Sequence, residues 1–410
     1  MSVPTTERPA GNPSPSPSPS TPSTPSAALP PIWTNLVGQA HVAATLDRAA
    51  RGDGMTHAWL FTGPPGSGRS NAAQAFAAAL QCERAGCGEC HACRTVLGGT
   101  HADVTSVRTD ALVIAVKDVR DLVRKAALSP NGERYQVIII EDADRLNDHG
   151  FNALLKAIEE PNARTVWLLC APTAEDVLVT IRSRCRLVTL TTPTAAQVAE
   201  YLVRTDRVPA DLAVSAARAS QGHIGRARAL ARDEATRARR AEVVRLPARL
   251  TSLGACMDAG SRLLEVAKDE TDAITAEVEA REKAELDRSY GVEGRGKRPR
   301  EYAPALKELE TGQKRRAKRR LLDVLDRSLM DLVSVYRDAI ALGVGADTEL
   351  VNEEIRADVV TLVQRSTPET HLRRIEAVFT AREQMLQFNV PPTMALESMA
   401  VALRLEGGRR

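Results

Sequence analysis

Aromatic residues make up only 3% of this chain of 410 residues. That scarcity argues against a stacking platform for single-stranded nucleic acid, which needs successive aromatic side chains. The sequence also lacks any apolar run near twenty residues, so no membrane-spanning helix is expected. The first thirty residues hold no apolar core of a secretory signal, and the expected location is cytoplasmic. Net charge is small, at +3, which does not indicate wholesale binding to phosphate backbones. One absence is more specific. The glycine-rich turn Gly63, Pro64, Pro65, Gly66, Ser67, Gly68, Arg69 and Ser70 carries arginine where a phosphate loop has lysine.

What is present is ordinary in bulk, with 43% hydrophobic and 26% charged residues, and the length suits two or three domains. Residues 1–31 are rich in Pro, Ser and Thr and cannot bury enough apolar surface to offset the entropy of ordering, so a disordered leader is expected. From residue 32 to about 192, strand-like and helical segments alternate. Ala58–Thr62, Val137–Ile140, Val166–Cys170 and Leu187–Leu190 read as four strands, with helices over Asn71–Leu80 and Phe151–Glu159. Strand and helix in turn imply an α/β fold with a parallel sheet.

After Pro193 the strand signal stops. Residues 193–247 read as a small helical domain, and residues 248–410 as a larger all-helical one. Within the latter, about residues 268–320 are dense in both charges, which predicts solvated helix or mobile loop. Leu322, Leu325, Leu329, Leu332, Val333, Tyr336 and Ile340 then recur at steps of three and four, on one helical face.

A glycine turn between strand and helix surrounds phosphate with backbone N–H groups and a helix N-terminus, while lysine supplies a compact charge. Arg69 is wider and planar, so nucleotide binding could persist while hydrolysis is compromised. Ser70 keeps the magnesium-ligand position, which leaves room for ATP or ADP with Mg²⁺. Glu141 and Asp142 end the second expected strand where an Asp for metal and a Glu for water would stand in that order; here the order is reversed. Cys82, Cys87, Cys90 and Cys93 match the ligand spacing of a structural Zn²⁺ site at residues 82–93, closed to catalysis because four thiolates fill a tetrahedral shell. Glu83, Arg84, Glu89 and His91 give this module no basic face. Cys170, Cys185 and Cys256 read as small apolar packing residues.

Together these residues resemble the clamp-loader subfamily of the AAA+ ATPases over about residues 32–240. Val37, Gly38 and Gln39 are similar to the family's adenine-side element. The run from Phe151 to Pro161, FNALLKAIEEP, resembles a characteristic helix, and NVPPTMALESMA near the end resembles a closing helix. The resemblance implies an AAA+ P-loop domain with an inserted zinc module, a helical lid and a helical collar. Ser183, Arg184 and Cys185 match the SRC motif, whose arginine, here Arg184, reaches a neighbouring subunit's γ-phosphate as a trans arginine finger.

Two further departures join Arg69 and the reversed acidic pair. Ala171 and Pro172 stand where motors carry a polar sensor, and the second sensor's place falls on Gly225, with Arg226 one position late. Four altered catalytic positions fit a stator that closes one end of a pentameric ring and has no ATPase activity of its own. The implied partners are tau/gamma motor subunits and a delta subunit, with the sliding clamp and primed DNA met through the assembly and no membrane. Two other readings stay open: an active ATPase motor using Arg69, and a zinc-dependent nucleic-acid-binding regulator.

Overall fold

The computed structural model describes residues 29–109, 113–292 and 299–405. Most of the expected leader therefore lies outside the described residues, and Pro31–Asn35 already forms a 3₁₀ turn. The first domain runs α1 (Ala40–Ala50), β1 (Ala58–Thr62), α2 (Arg69–Gln81), α3 (His91–Leu97), β2 (Val104–Val107), α4 (Val116–Ala126), β3 (Gln136–Ile140), α5 (Asp148–Glu159), β4 (Thr165–Ala171), α6 (Val179–Arg182) and β5 (Arg186–Thr189). All strand pairs are parallel, in the order β2-β3-β4-β1-β5. The expected α/β class is borne out, with five strands instead of four.

The four expected strands are the apolar ones, and β1, β3 and β4 are buried along their whole length. Helices on both faces bury them, which is why such strands read as continuous apolar runs. The unexpected strand, β2, has the sequence VTSV and sits half-buried at the sheet edge, where no apolar run is demanded. Helix α4 also escaped the sequence reading, although Val119, Leu122 and Ala126 form its buried stripe. One sheet face packs on α1 and α2, the other on α4 and α5.

The lid contains α7 (Ala195–Asp206), α8 (Ala210–Ser220) and α9 (Ile224–Arg232), packed around Val198, Leu202, Ala213, Ala217 and Leu230. The first of these starts with a capping box between Thr194 and Gln197. Next comes α10 (Glu234–Arg245), whose Val243 and Val244 belong to the C-terminal core rather than to the lid core. Helices α11 (Leu253–Ser289), α12 (Tyr302–Gly343), α13 (Arg356–Arg365), α14 (Pro368–Leu386) and α15 (Pro392–Ala402) complete that core. The predicted stripe of α12 is its core face, with Leu322, Leu325, Leu329, Leu332 and Tyr336 buried and Val333 packed at its margin.

The charged stretch at about 268–320 forms the outer halves of α11 and α12, two helices that pair with each other. Its residues 293–298, including Gly294 and Gly296, lie outside the described residues. Cross-hairpin contacts replace an apolar core there. Tyr302 donates to Asp287 at 2.6 Å, Gln313 to the Glu279 carbonyl at 3.2 Å, and Arg316 pairs with Glu282.

A buried polar network ties lid, α10 and collar together. Asp331 of α12 accepts from Arg226 of α9 and from Arg240 of α10, the latter at 3.2 Å. Arg240 also meets Glu354 at 2.6 Å, and Asn352 Nδ2 donates to Asp338 and Ser334 at 2.8 and 2.9 Å. Asp331 is only 3% exposed, so removing its carboxylate strands the Arg226 guanidinium and takes from the buried Arg240 one of its two carboxylate partners. Asp331→Ala is expected to destabilise the collar by about 3–5 kcal/mol, the usual effect of breaking a buried pair from one side. Urea unfolding of the purified chain measures it.

His371 of α14 is 1% exposed and stacks on Tyr336 with ring centroids 5.8 Å apart. Burial, then the nearby Arg374 charge, lowers its pKa to about 4. The unfolded chain therefore takes up this proton first as pH falls below about 6.5. The stabilisation is complete above that value and is lost as pH falls through the folded-state pKa, a change of about 3 kcal/mol. Urea midpoints between pH 7 and pH 4 should fall steeply for the native chain and less for His371→Gln.

Candidate functional site

Strand β1 ends at Thr62, and the glycine turn bends the chain into α2. Gly63, Gly66 and Gly68 all have positive φ, at 152°, 84° and 95°. Gly66 has a second reason to be glycine. A Cβ there would lie 2.3 Å from His223 Cγ, so the imidazole rests directly on the loop. His223 belongs to the lid, where its Nδ1 accepts the Arg226 N–H at 3.2 Å and caps α9. Burial, then the Arg226 charge, holds His223 below the ordinary histidine pKa, which agrees with a neutral, accepting Nδ1.

Further contacts fix the rest of the loop. The Gly63 N–H donates to the Pro172 carbonyl at 3.0 Å, which pins the loop to the end of β4. Arg69 opens α2, and its Nη1 is buried without a hydrogen-bond partner among the described residues. Its charge reaches Asp144, whose pKa burial and Asp142 raise and Arg69 lowers. Ser70 follows on the first turn of α2. Pro64 and Pro65 are exposed, while Ser67 is buried.

Glu141 and Asp142 leave the end of β3 in the expected reversed order. Ser106 of β2 donates to Glu141 at 3.0 Å, and Arg145 lies 3.7 Å from Asp142. Ala171, the last residue of β4, is buried and offers no polar side chain. Arg226, the late lid arginine, is drawn away to Asp331 of the collar. Val37 joins the lid core, Gly38 adopts φ 72°, and Gln39 is 1% exposed. The Gln39 amide exchanges two hydrogen bonds with Thr191, at 2.6 and 3.2 Å.

Ser183, Arg184 and Cys185 lie between α6 and β5, on the molecular surface except for the half-buried Cys185. The Arg184 side chain is 40% exposed and pairs with Glu159, the last residue of α5, at 2.8 Å. It also donates to the Thr180 carbonyl at 2.8 Å. Sequence reading did not identify Glu159, His223 or the Arg226–Asp331 pair, because each depends on residues brought together only by folding. Cys170 and Cys256 are fully buried, as apolar packing residues should be.

The cysteine cluster lies between α2 and α3. All four sulfurs fall within 4.8 Å of one another, and Cys82 Sγ is 3.6 Å from Cys87 Sγ and 3.8 Å from Cys90 Sγ. Tetrahedral zinc with bonds near 2.3 Å requires sulfurs about 3.8 Å apart, so the donor set fits Zn²⁺. Backbone N–H groups of Cys87, Cys90 and Cys93 point at the preceding cysteine sulfurs at 3.4–3.5 Å, a pattern suited to thiolates. N–H groups of Glu89 and Cys90 bring Cys87 down to about 6. Gly86 at φ 111° lets Ile32 approach, since a Cβ there would sit 2.4 Å from the isoleucine methyl. The module is thereby packed onto the start of the domain. Arg84 and Glu89 pair with each other at 3.4 Å, so the module offers no basic face.

Residues 38–194 match the family model described as DNA polymerase III, delta subunit. The tau subunit of DNA polymerase III from Bacillus subtilis is 36% identical over 158 residues, 38% of this chain and 28% of that protein. The delta' subunit from Pseudomonas aeruginosa is 35% identical over 179 residues, 42% of this chain and 51% of that protein. The matched segments thus span about a quarter to a half of these relatives. A DNA polymerase III gamma subunit-related protein from Thermotoga maritima overlays with a TM-score of 0.41 at 14% identity, covering 88% of this chain and 98% of that one. Among the described residues no helix is long and apolar enough to cross a membrane. Over residues 38–194 this chain is thus similar to the DNA polymerase III delta-type clamp-loader family.

Proposed function

We propose that this chain is the delta-prime, or stator, subunit of a DNA polymerase III clamp loader. In this reading it assembles with tau/gamma motor subunits and a delta subunit and closes one end of their ring. It presents Arg184 to ATP held by the adjacent motor, and so helps load the sliding clamp onto primed DNA. Its own phosphate loop is not a working catalyst.

The contact of His223 with Gly66 carries the reading. A hydrolytic lid places a cation over the phosphates to meet the charge that develops during transfer. Here a neutral imidazole rests on the loop, while Arg226 is engaged by Asp331. Arg69 in place of lysine, the reversed Glu141–Asp142 pair and the apolar Ala171 point the same way. Val37, Gly38, Gln39 and the loop through Ser70 retain the outline of a nucleotide pocket, so binding of ATP or ADP with Mg²⁺ without turnover is compatible with this role.

The rival reading is a motor subunit, favoured by the three positive-φ glycines of an intact loop backbone. ATP turnover by the purified chain separates the two. A stator is expected to stay far below ~1 s⁻¹, whereas turnover at or above that value, abolished in Asp142→Asn, would establish a motor. Co-purification with motor and delta subunits tests membership directly.

A further inference from the structure

The outer edge of the sheet is β2, which among the described residues pairs only with β3. Val137 donates to the Asp103 carbonyl at 2.8 Å and Glu141 to the Val107 carbonyl at 3.0 Å. In a parallel ladder, backbone groups alternate between the two sides of the strand. Asp103, Thr105 and Val107 therefore face β3, and Ser106 and Arg108 turn their N–H and C=O groups outward. No backbone partner meets those groups among the described residues.

This open edge forms one wall of a crevice of about 510 Å³, with α4 and the Gly312–Arg316 stretch of α12 as the other walls. The crevice exists because the charged hairpin reaches back to the first domain. Its charges are unevenly matched. Arg316 is paired with Glu282, and Asp121 with Arg124. Arg108, Lys125 and Arg315 are exposed and have no ion-pair partner among the described residues, and Asp118 is the one unpaired carboxylate lining the same space.

We infer that this crevice receives an extended acidic peptide segment, which adds to β2 as a sixth strand. An exposed strand edge is a template for another backbone, and a groove wall supplies the side-chain preference. The free N–H and C=O groups of Ser106 and Arg108 set the register. Carboxylates at alternate positions meet Arg108, Lys125 and Arg315. A segment of four residues, about 13 Å long, spans the available edge. Nucleic acid is the poorer match, because a phosphodiester backbone offers acceptors only and leaves the strand's carbonyls unmet.

Fluorescence anisotropy with the full chain and a labelled hexapeptide of alternating Val and Glu tests this. Saturable binding is expected, at least tenfold weaker to Arg315→Glu and to Lys125→Glu, both on exposed helix faces where folding is retained. N-methylation of alternate peptide nitrogens should abolish binding, since it removes the strand hydrogen bonds while keeping the charges. Equal binding of a Val–Lys hexapeptide, or of the N-methylated peptide, would overturn the inference. So would unchanged affinity in Arg315→Glu, no saturable binding at all, or tighter binding of a single-stranded DNA dodecamer at the same residues.

Discussion

In a reconstituted clamp loader, Arg184→Ala in this chain is expected to lower ATP turnover at the adjacent motor site by about 10³-fold or more. An arginine that meets charge developing on a transferring phosphoryl group acts in the transition state, so its loss falls on the rate. Folding should be unaffected. The Arg184–Glu159 pair is about two-fifths exposed on both sides, and exposed pairs contribute roughly 0–1 kcal/mol. In the proposed role, the same weakness would let the guanidinium exchange Glu159 for a phosphate presented by a neighbour. Arg184→Lys should restore little, because an ammonium loses the planar fork. Glu159→Gln should leave turnover within about tenfold of the native complex, because a parking contact of this strength is worth roughly one kcal/mol. Steady-state ATPase assays of the complex read all three. Turnover unchanged by Arg184→Ala, with the variant chain still incorporated, would overturn the catalytic role proposed for Arg184.

The second large effect concerns the cysteine module. One zinc per chain is expected by elemental analysis, and removing it, by chelation or by Cys87→Ser, should open the segment between α2 and α3. Zinc bound by such sites carries an apparent ~10–16 kcal/mol in small peptides, far more than a loop of this size gains from its few buried side chains. Arg84 and Arg94 are exposed on the module and supply trypsin sites. Cleavage there should appear on zinc loss, while the sheet core around Phe61, Phe76 and Leu168 stays protected. A metal-free chain that resists trypsin at both arginines would show that the thiols need no metal to hold their shape.

Much of the first domain could be read in one dimension. The run QVIII and the run TVWLLCA announce β3 and β4 because a strand covered on both faces tolerates only apolar side chains. The cysteine spacing announces the sulfur cluster for a similarly local reason: ligands two to four residues apart cannot stray far. The edge strand VTSV sends no such signal, since half of it faces solvent. The hairpin of α11 and α12 was ambiguous between helix and loop because its two helices are held by each other through pairs such as Arg316–Glu282, whose partners are 34 residues apart.

The glycine turn, the four thiols, the order of acidic residues and the SRC segment were thus determined by the sequence alone, because each depends on backbone geometry within a few residues. Folding alone decided how those parts are used. It laid His223 on Gly66, sent Arg226 to Asp331 across a separation of 105 residues, and parked Arg184 on Glu159. The physical reason is that such contacts are set by how the lid and collar pack against the sheet, and that packing is a property of whole buried surfaces with no local periodicity to carry it.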